Sequence, residues 1–178
     1  MEATTRRQDR PILTGLFRDR ESTEGAYRSL RDRGYSDDDI NVLMSDETRN
    51  KYYSDGDSAL DDNKALEGAG TGGAIGGTLG AIIGGIAAIG TNLVLPGLGL
   101  VVWGPIAAAL AGAGAGGLTG GLVGALIGWG IPEEHAREYE EGIKNGGTFM
   151  GVNPRNDEDA EYFENEWRNN YGGQHVYR

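Results

Sequence analysis

At both ends of the chain, short apolar runs alternate with helical spacings, and between them lies a long stretch without charge. Ile12-Leu13-Thr14-Gly15-Leu16-Phe17 is an apolar run bounded by Pro11 and Arg18, and it reads as a buried strand. Asp19 is placed to cap a helix through about Arg33, with Ala26, Tyr27 and Leu30 on one face and Gly34 where a glycine ends a helix. Ser36 and Asp39 have capping-box spacing in the turn that follows, and Ile40–Met44 reads as a second strand. Beyond the middle, Pro132 opens a helix to about Lys144, striped by Ala136, Tyr139 and Ile143 and ended by Gly146-Gly147. Thr148–Val152 is a third strand. Asn156 or Asp157 then caps a helix whose Ala160, Phe163 and Trp167 recur at three- and four-residue spacing. Gly172-Gly173 breaks it before a short final strand at His175-Val176-Tyr177.

The middle follows another rule. From Gly68 to Pro132 there is no Lys, Arg, Asp or Glu, and 22 of the 32 glycines lie between Gly68 and Gly130. Gly68, Gly72, Gly76, Gly80 and Gly84 recur every four residues, and the row returns as Gly112, Gly116, Gly120, Gly124 and Gly128. A period of four places them along one helical face, where missing side chains let another backbone approach closely. This predicts two helices, over 68–90 and 105–130, joined by a turn with Thr91-Asn92, Pro96-Gly97 and Gly104-Pro105. At 1.5 Å per residue they are roughly 35 and 39 Å long, enough for a hydrocarbon core of about 30 Å. Trp103 and Trp129, near the two ends of the second helix, are candidate membrane-interface anchors. Leu93–Val102 is too apolar for an ordinary turn in water, which suits either a far headgroup layer or burial in protein.

Together the ends read β-α-β, insert, α-β-α-β. The expected fold class is therefore α+β: a ferredoxin-like domain interrupted by a glycine-zipper antiparallel helical hairpin. Neither half has enough strands to stand alone, so the halves should pair and bring Glu67 and Pro132 to one side. The organisation expected is a flexible arm over 1–10, the first half-domain over 11–45, an acidic linker over 46–67, the hairpin over 68–131 and the second half-domain over 132–178.

Charge and motifs narrow the chemistry. The net charge is −11, divided as −5 over residues 1–67 and −6 over 133–178, which leaves no basic face for phosphates and argues against nucleic acid. Without cysteine there is no disulfide or thiolate site, and residues 1–20 carry five arginines rather than a signal-peptide core. Asp55, Asp57, Asp61 and Asp62 miss the EF-hand register and read as solvated linker. The Gly-x-Gly-x-x-Gly matches beginning at Gly68 and Gly112 lack a preceding strand and a following acid, so they read as coincidence. His135 and His175 have no second ligand at metal spacing and take surface or structural roles. Glu138, Glu140 and Glu141 read as a solvated helix face rather than a paired-carboxylate site. We expect no catalytic, cofactor or metal residues.

Leu13–Phe17, Leu30-Arg31-Asp32-Arg33-Gly34-Tyr35 and Ser36–Val42 resemble the N-terminal unit of bacterial heat-induced or general stress proteins. Gly130–Ala136, Tyr139-Glu140-Glu141-Gly142 and Gly146-Gly147-Thr148 resemble its C-terminal counterpart, and a glycine-zipper segment between such units is common in that family. The resemblance implies a bacterial stress-associated protein without catalytic residues. The expected function is oligomerisation through the zipper, with the hairpin inserted in the cytoplasmic membrane and the polar domain in the cytoplasm. Its partners would be further copies of the chain and the lipid bilayer. The alternatives are a soluble assembly with the hairpins buried in a multi-subunit core, or a module that senses a small ligand.

Overall fold

The computed structural model describes residues 12–53, 93–95, 99–107 and 121–178. Within them the chain forms β1 (Leu13–Phe17), α1 (Arg20–Asp32), a 3-10 turn (Asp37–Asp39), β2 (Ile40–Ser45) and α2 (Asp46–Tyr53). After residue 92 come β3 (Leu93–Leu95), β4 (Leu100–Trp103), α3 (Gly121–Gly128), α4 (Glu133–Lys144), β5 (Thr148–Val152), α5 (Asp157–Asn169) and β6 (Gln174–Tyr177). The fold is α+β, built on a six-stranded sheet in the order β3-β4-β2-β5-β1-β6 with every neighbouring pair antiparallel. β5 lies between β1 and β2, pairing Leu13–Phe17 on one side and Ile40–Met44 on the other. The two halves of the chain are thus interleaved strand by strand, and neither forms this sheet alone.

The caps are where the local signals put them. The Asp19 side chain accepts from the Ser22 amide at 2.8 Å, Asn156 accepts from Asp159 at 2.7 Å, and Ser36 and Asp39 complete a capping box. Gly34 and Gly146 hold φ of 78° and 92°, the left-handed cap that closes α1 and α4 with six-to-one backbone bonds from Tyr35 to Leu30 and from Gly147 to Gly142.

Strand residues alternate between two cores. Leu13, Phe17, Ile40, Val42, Met44, Met150 and Val152 face α1 and α5, where Leu30, Phe163 and Trp167 complete the cluster. Leu16, Leu43, Val102 and Phe149 face the other way, onto Leu122 and Leu126 of α3 and Ala136, Tyr139 and Ile143 of α4. Because helices cover both faces, the strands read as continuous apolar runs rather than alternating ones.

Three expectations need correcting. Residues 46–53, assigned to the linker, form α2, whose Tyr52 packs on the α1–α5 core. Leu93–Val102, taken as a turn between long helices, is a β-hairpin whose second strand pairs with β2 from Val42↔Trp103 to Ser45↔Leu100. Apolar, β-branched Val101 and Val102 bury on opposite faces there, and the hairpin covers what would otherwise be an open edge of β2. Trp103, a candidate interface anchor, is 7% exposed and belongs to the α1–α5 core. Trp129, the other, lies just past α3 and packs edge-on against Phe149 at 6.1 Å. It lies directly over Gly151, where a Cβ would come within 2.6 Å of the indole.

Gly68, Gly72, Gly76, Gly80, Gly84, Gly112, Gly116 and Gly120 lie outside the described residues, as do the arm over 1–10 and the linker beyond Tyr53. Among the described residues, no helix is long and apolar enough to cross a membrane.

Candidate functional site

The only two histidines of the chain, 40 positions apart, meet at one carboxylate. α4 presents His135 and Glu138 one turn apart, and β6 presents His175 and Tyr177. Tyr177 Oη donates to Glu138 Oε2 at 2.8 Å, while His175 Nδ1 and His135 Nδ1 lie 3.2 and 3.3 Å from the same oxygen. The His135 ring stacks on Tyr177 with centroids 3.4 Å apart and planes 17° apart.

A distortion of β6 places His175. β1 pairs Thr14 with Tyr177 but Leu16 with Gln174, so β6 carries an extra residue, and His175 takes φ of 48°. Such a bulge re-aims the side chain beside it. Tyr139, the next residue along α4, donates to the His175 carbonyl at 2.5 Å and accepts from Thr14 Oγ1 at 2.7 Å, fixing the bulge against the sheet.

The electrostatics follow from this packing. Burial pushes the Glu138 carboxyl up, but the hydrogen bonds from Tyr177 and His135 and the nearby imidazoles outweigh it, leaving the group below its ordinary value. Burial first, and then the bond to Glu138, pushes Tyr177 up to about 12. Burial dominates the rise of Tyr139 as well.

Beside the cluster a cleft of about 640 Å³ opens between α4 and the β1–β6 edge. Arg18, Gln174 and His175 line one wall, Glu141 and Asn145 the other, and Leu16 the floor. Among the described residues, no group of His, Cys, Asp and Glu is arranged to hold a metal ion.

A second carboxylate cluster lies at the far end of the sheet. Asp159, 9% exposed, accepts from Arg33 at 2.5 Å and from Tyr35 Oη at 2.7 Å, and Tyr35 Oη in turn accepts from the Arg155 amide at 2.8 Å. Arg33 stacks on Tyr162 at 3.7 Å and Arg155 on Tyr35 at 4.2 Å. This cluster ties the α1–β2 turn to the start of α5 across the whole insert.

Sequence reasoning assigned His135 and His175 separate roles and missed that they meet. The available signal was His-x-x-Glu on a predicted helix together with His-x-Tyr on a predicted strand. What spacing lacked was the pairing of β6 with β1, which brings those two elements side by side.

Among the candidate packing residues, Gly124 and Gly128 are described. Among the described residues a Cβ at either meets nothing within 4 Å, while Leu122 and Leu126 on the opposite side of α3 are buried. Ile127, between the two glycines, is 42% exposed. Comparison with family models, curated proteins and solved structures finds no match.

Proposed function

We propose that this chain is a non-enzymatic protein that assembles with copies of itself through its glycine rows, in the manner of the bacterial stress proteins it resembles. The observation that carries the reading is the open face of α3. Its inner side is anchored in the core, and its outer side offers Gly124, Gly128 and Ile127, a surface onto which a second helix backbone can close. Strand order supports a ferredoxin-like reading of the frame. β1 and β2 are parallel and joined by α1, with β5 inserted between them and β6 outside β1, and β3–β4 and α3–α4 are additions to that plan.

Topology favours the soluble form of the assembly. Ile106 and Ala107, before residues 108–120, and Leu122 and Leu126, after them, belong to one cluster on one face of the sheet. The Asn41 side chain holds the first end, accepting from the Ile106 amide at 2.8 Å and donating to the Gly151 carbonyl at 3.3 Å. A helix over 105–130 that crossed a bilayer would have its ends on opposite sides. The uncharged 68–92 stretch, at 25 residues, is long enough for about one crossing. It returns to the domain at β3, and a segment with both ends on one side needs an even number of crossings.

The test is the particle mass without detergent, for the wild type and for Gly124→Leu and Gly128→Leu. Both variants should keep the fold, since the added side chains meet nothing among the described residues, and should fall from a multi-subunit particle towards the 18.9 kDa monomer. A monomeric wild type, or unchanged mass in both variants, overturns the proposal. Retention of the full-length chain in membranes after a carbonate wash overturns the soluble form.

A further inference from the structure

We propose that the cleft between α4 and the β1–β6 edge binds a free α-amino acid, with its carboxylate on Arg18 and its ammonium on Glu141. A volume of about 640 Å³ is within the range of small-molecule sites, which run from about 300 to 1,000 Å³. Its charges are segregated. Arg18 comes from the end of β1 and Glu141 from the last turns of α4, and neither makes an ion pair among the described residues, with each other or with any other group. The Arg18 side chain is already aimed: its Nε donates to Gln174 Oε1 at 2.6 Å, which leaves the two terminal nitrogens as a fork for a planar carboxylate.

On the opposite wall Glu138 is committed to Tyr177 and the two imidazoles, so Glu141 is the carboxylate left for a ligand. It stands near the C-terminal end of α4, where the helix dipole favours an ammonium. Between the walls, Gly142 and Gly147 close over Leu16, and a Cβ at Gly142 would run into the Leu16 side chain. That leaves an apolar floor for the ligand's own side chain.

Other ligand classes satisfy only one wall. A phosphate or simple carboxylate meets Arg18 but is repelled by Glu138 and Glu141, and a polyamine meets Glu141 but is repelled by Arg18. A zwitterion satisfies both. The site does not use the glycine rows, so it stands or falls independently of the assembly.

The experiment is a titration of the full chain, followed by the amide signals of Gly142 and Gly147 and the side-chain amide of Gln174. The ligands are L-leucine and L-glutamine, with N-acetyl-L-leucine and L-leucinamide as blocked controls. Saturable shifts are expected with the free amino acids, and about a tenfold weaker response when either charge of the ligand is blocked. Arg18→Gln and Glu141→Gln are exposed substitutions outside both cores, and each should weaken binding about tenfold with an otherwise unchanged spectrum. Two results overturn the site: no saturable shift at about 10 mM free amino acid, or equal responses from the blocked ligands or from the two variants.

Discussion

The molecule has two carboxylate clusters, one joining the two halves of the chain and one within the second half, and the contrast between them is instructive. Asp159 is nearly buried and takes its hydrogen bonds from an arginine and a tyrosine, with a second arginine stacked on that tyrosine. Glu138 is about one-third exposed at its side chain, accepts from Tyr177 and has the two imidazole Nδ1 atoms at 3.3 and 3.2 Å. The first cluster has permanent cations and joins α1 to α5 where the chain must be rigid. The second has a tyrosine and two imidazoles around its carboxylate, and it sits on an edge strand beside a cleft.

That comparison can be broken first at Asp159. Asp159→Asn removes the nearly buried carboxylate shared by Arg33 and Tyr35 and should give the largest loss of stability, read as a lower urea midpoint with an unchanged slope. The tyrosines give the next effect. Tyr35 and Tyr177, one in each cluster, are both pushed up to about 12, burial being the larger cause in each. An unfolded tyrosine releases its proton near pH 10. The folded state therefore keeps protons that the unfolded state loses, so stability is full below about pH 10 and falls as pH rises from there towards 12. Replacing both by Phe should flatten that alkaline loss in thermal-melting profiles.

The smallest effect belongs to Glu138→Gln, at about 1 kcal/mol near neutral pH. Its folded carboxyl is held below the ordinary value. The stability it contributes is therefore present above the unfolded value and lost as pH falls through the folded one. The variant should lack that acid-side loss. An unchanged acid limb in the variant would remove Glu138 from the comparison.

The elements legible in the sequence were those specified by adjacent residues. Asp19, Ser36, Asn156, Gly34 and Gly146 mark their own ends through backbone geometry, and β1, β2 and β5 are apolar runs that need no partner to be recognised. Less legible were elements whose identity depends on what they touch. β4 is a strand because β2 offers it an edge, yet its Leu-Val-Val-Trp run lies within a charge-free field that suggested a helix boundary. α2 has no apolar stripe, and only Tyr52 betrays its packing. The site failed for the same reason: His135 and His175 are unremarkable until a bulge in β6 turns one towards the other.

The position of β5 between β1 and β2 also sets an order of events during synthesis. When Ser45 has left the ribosome, the two strands already made are not neighbours, because the slot between them belongs to a strand not yet translated. At about 5–20 residues per second, the roughly 100 residues before Thr148 occupy about 5–20 s. Throughout that interval the glycine-rich stretch emerges with no finished sheet to dock on. The chain must therefore complete its sheet late, only after Thr148–Val152 has emerged.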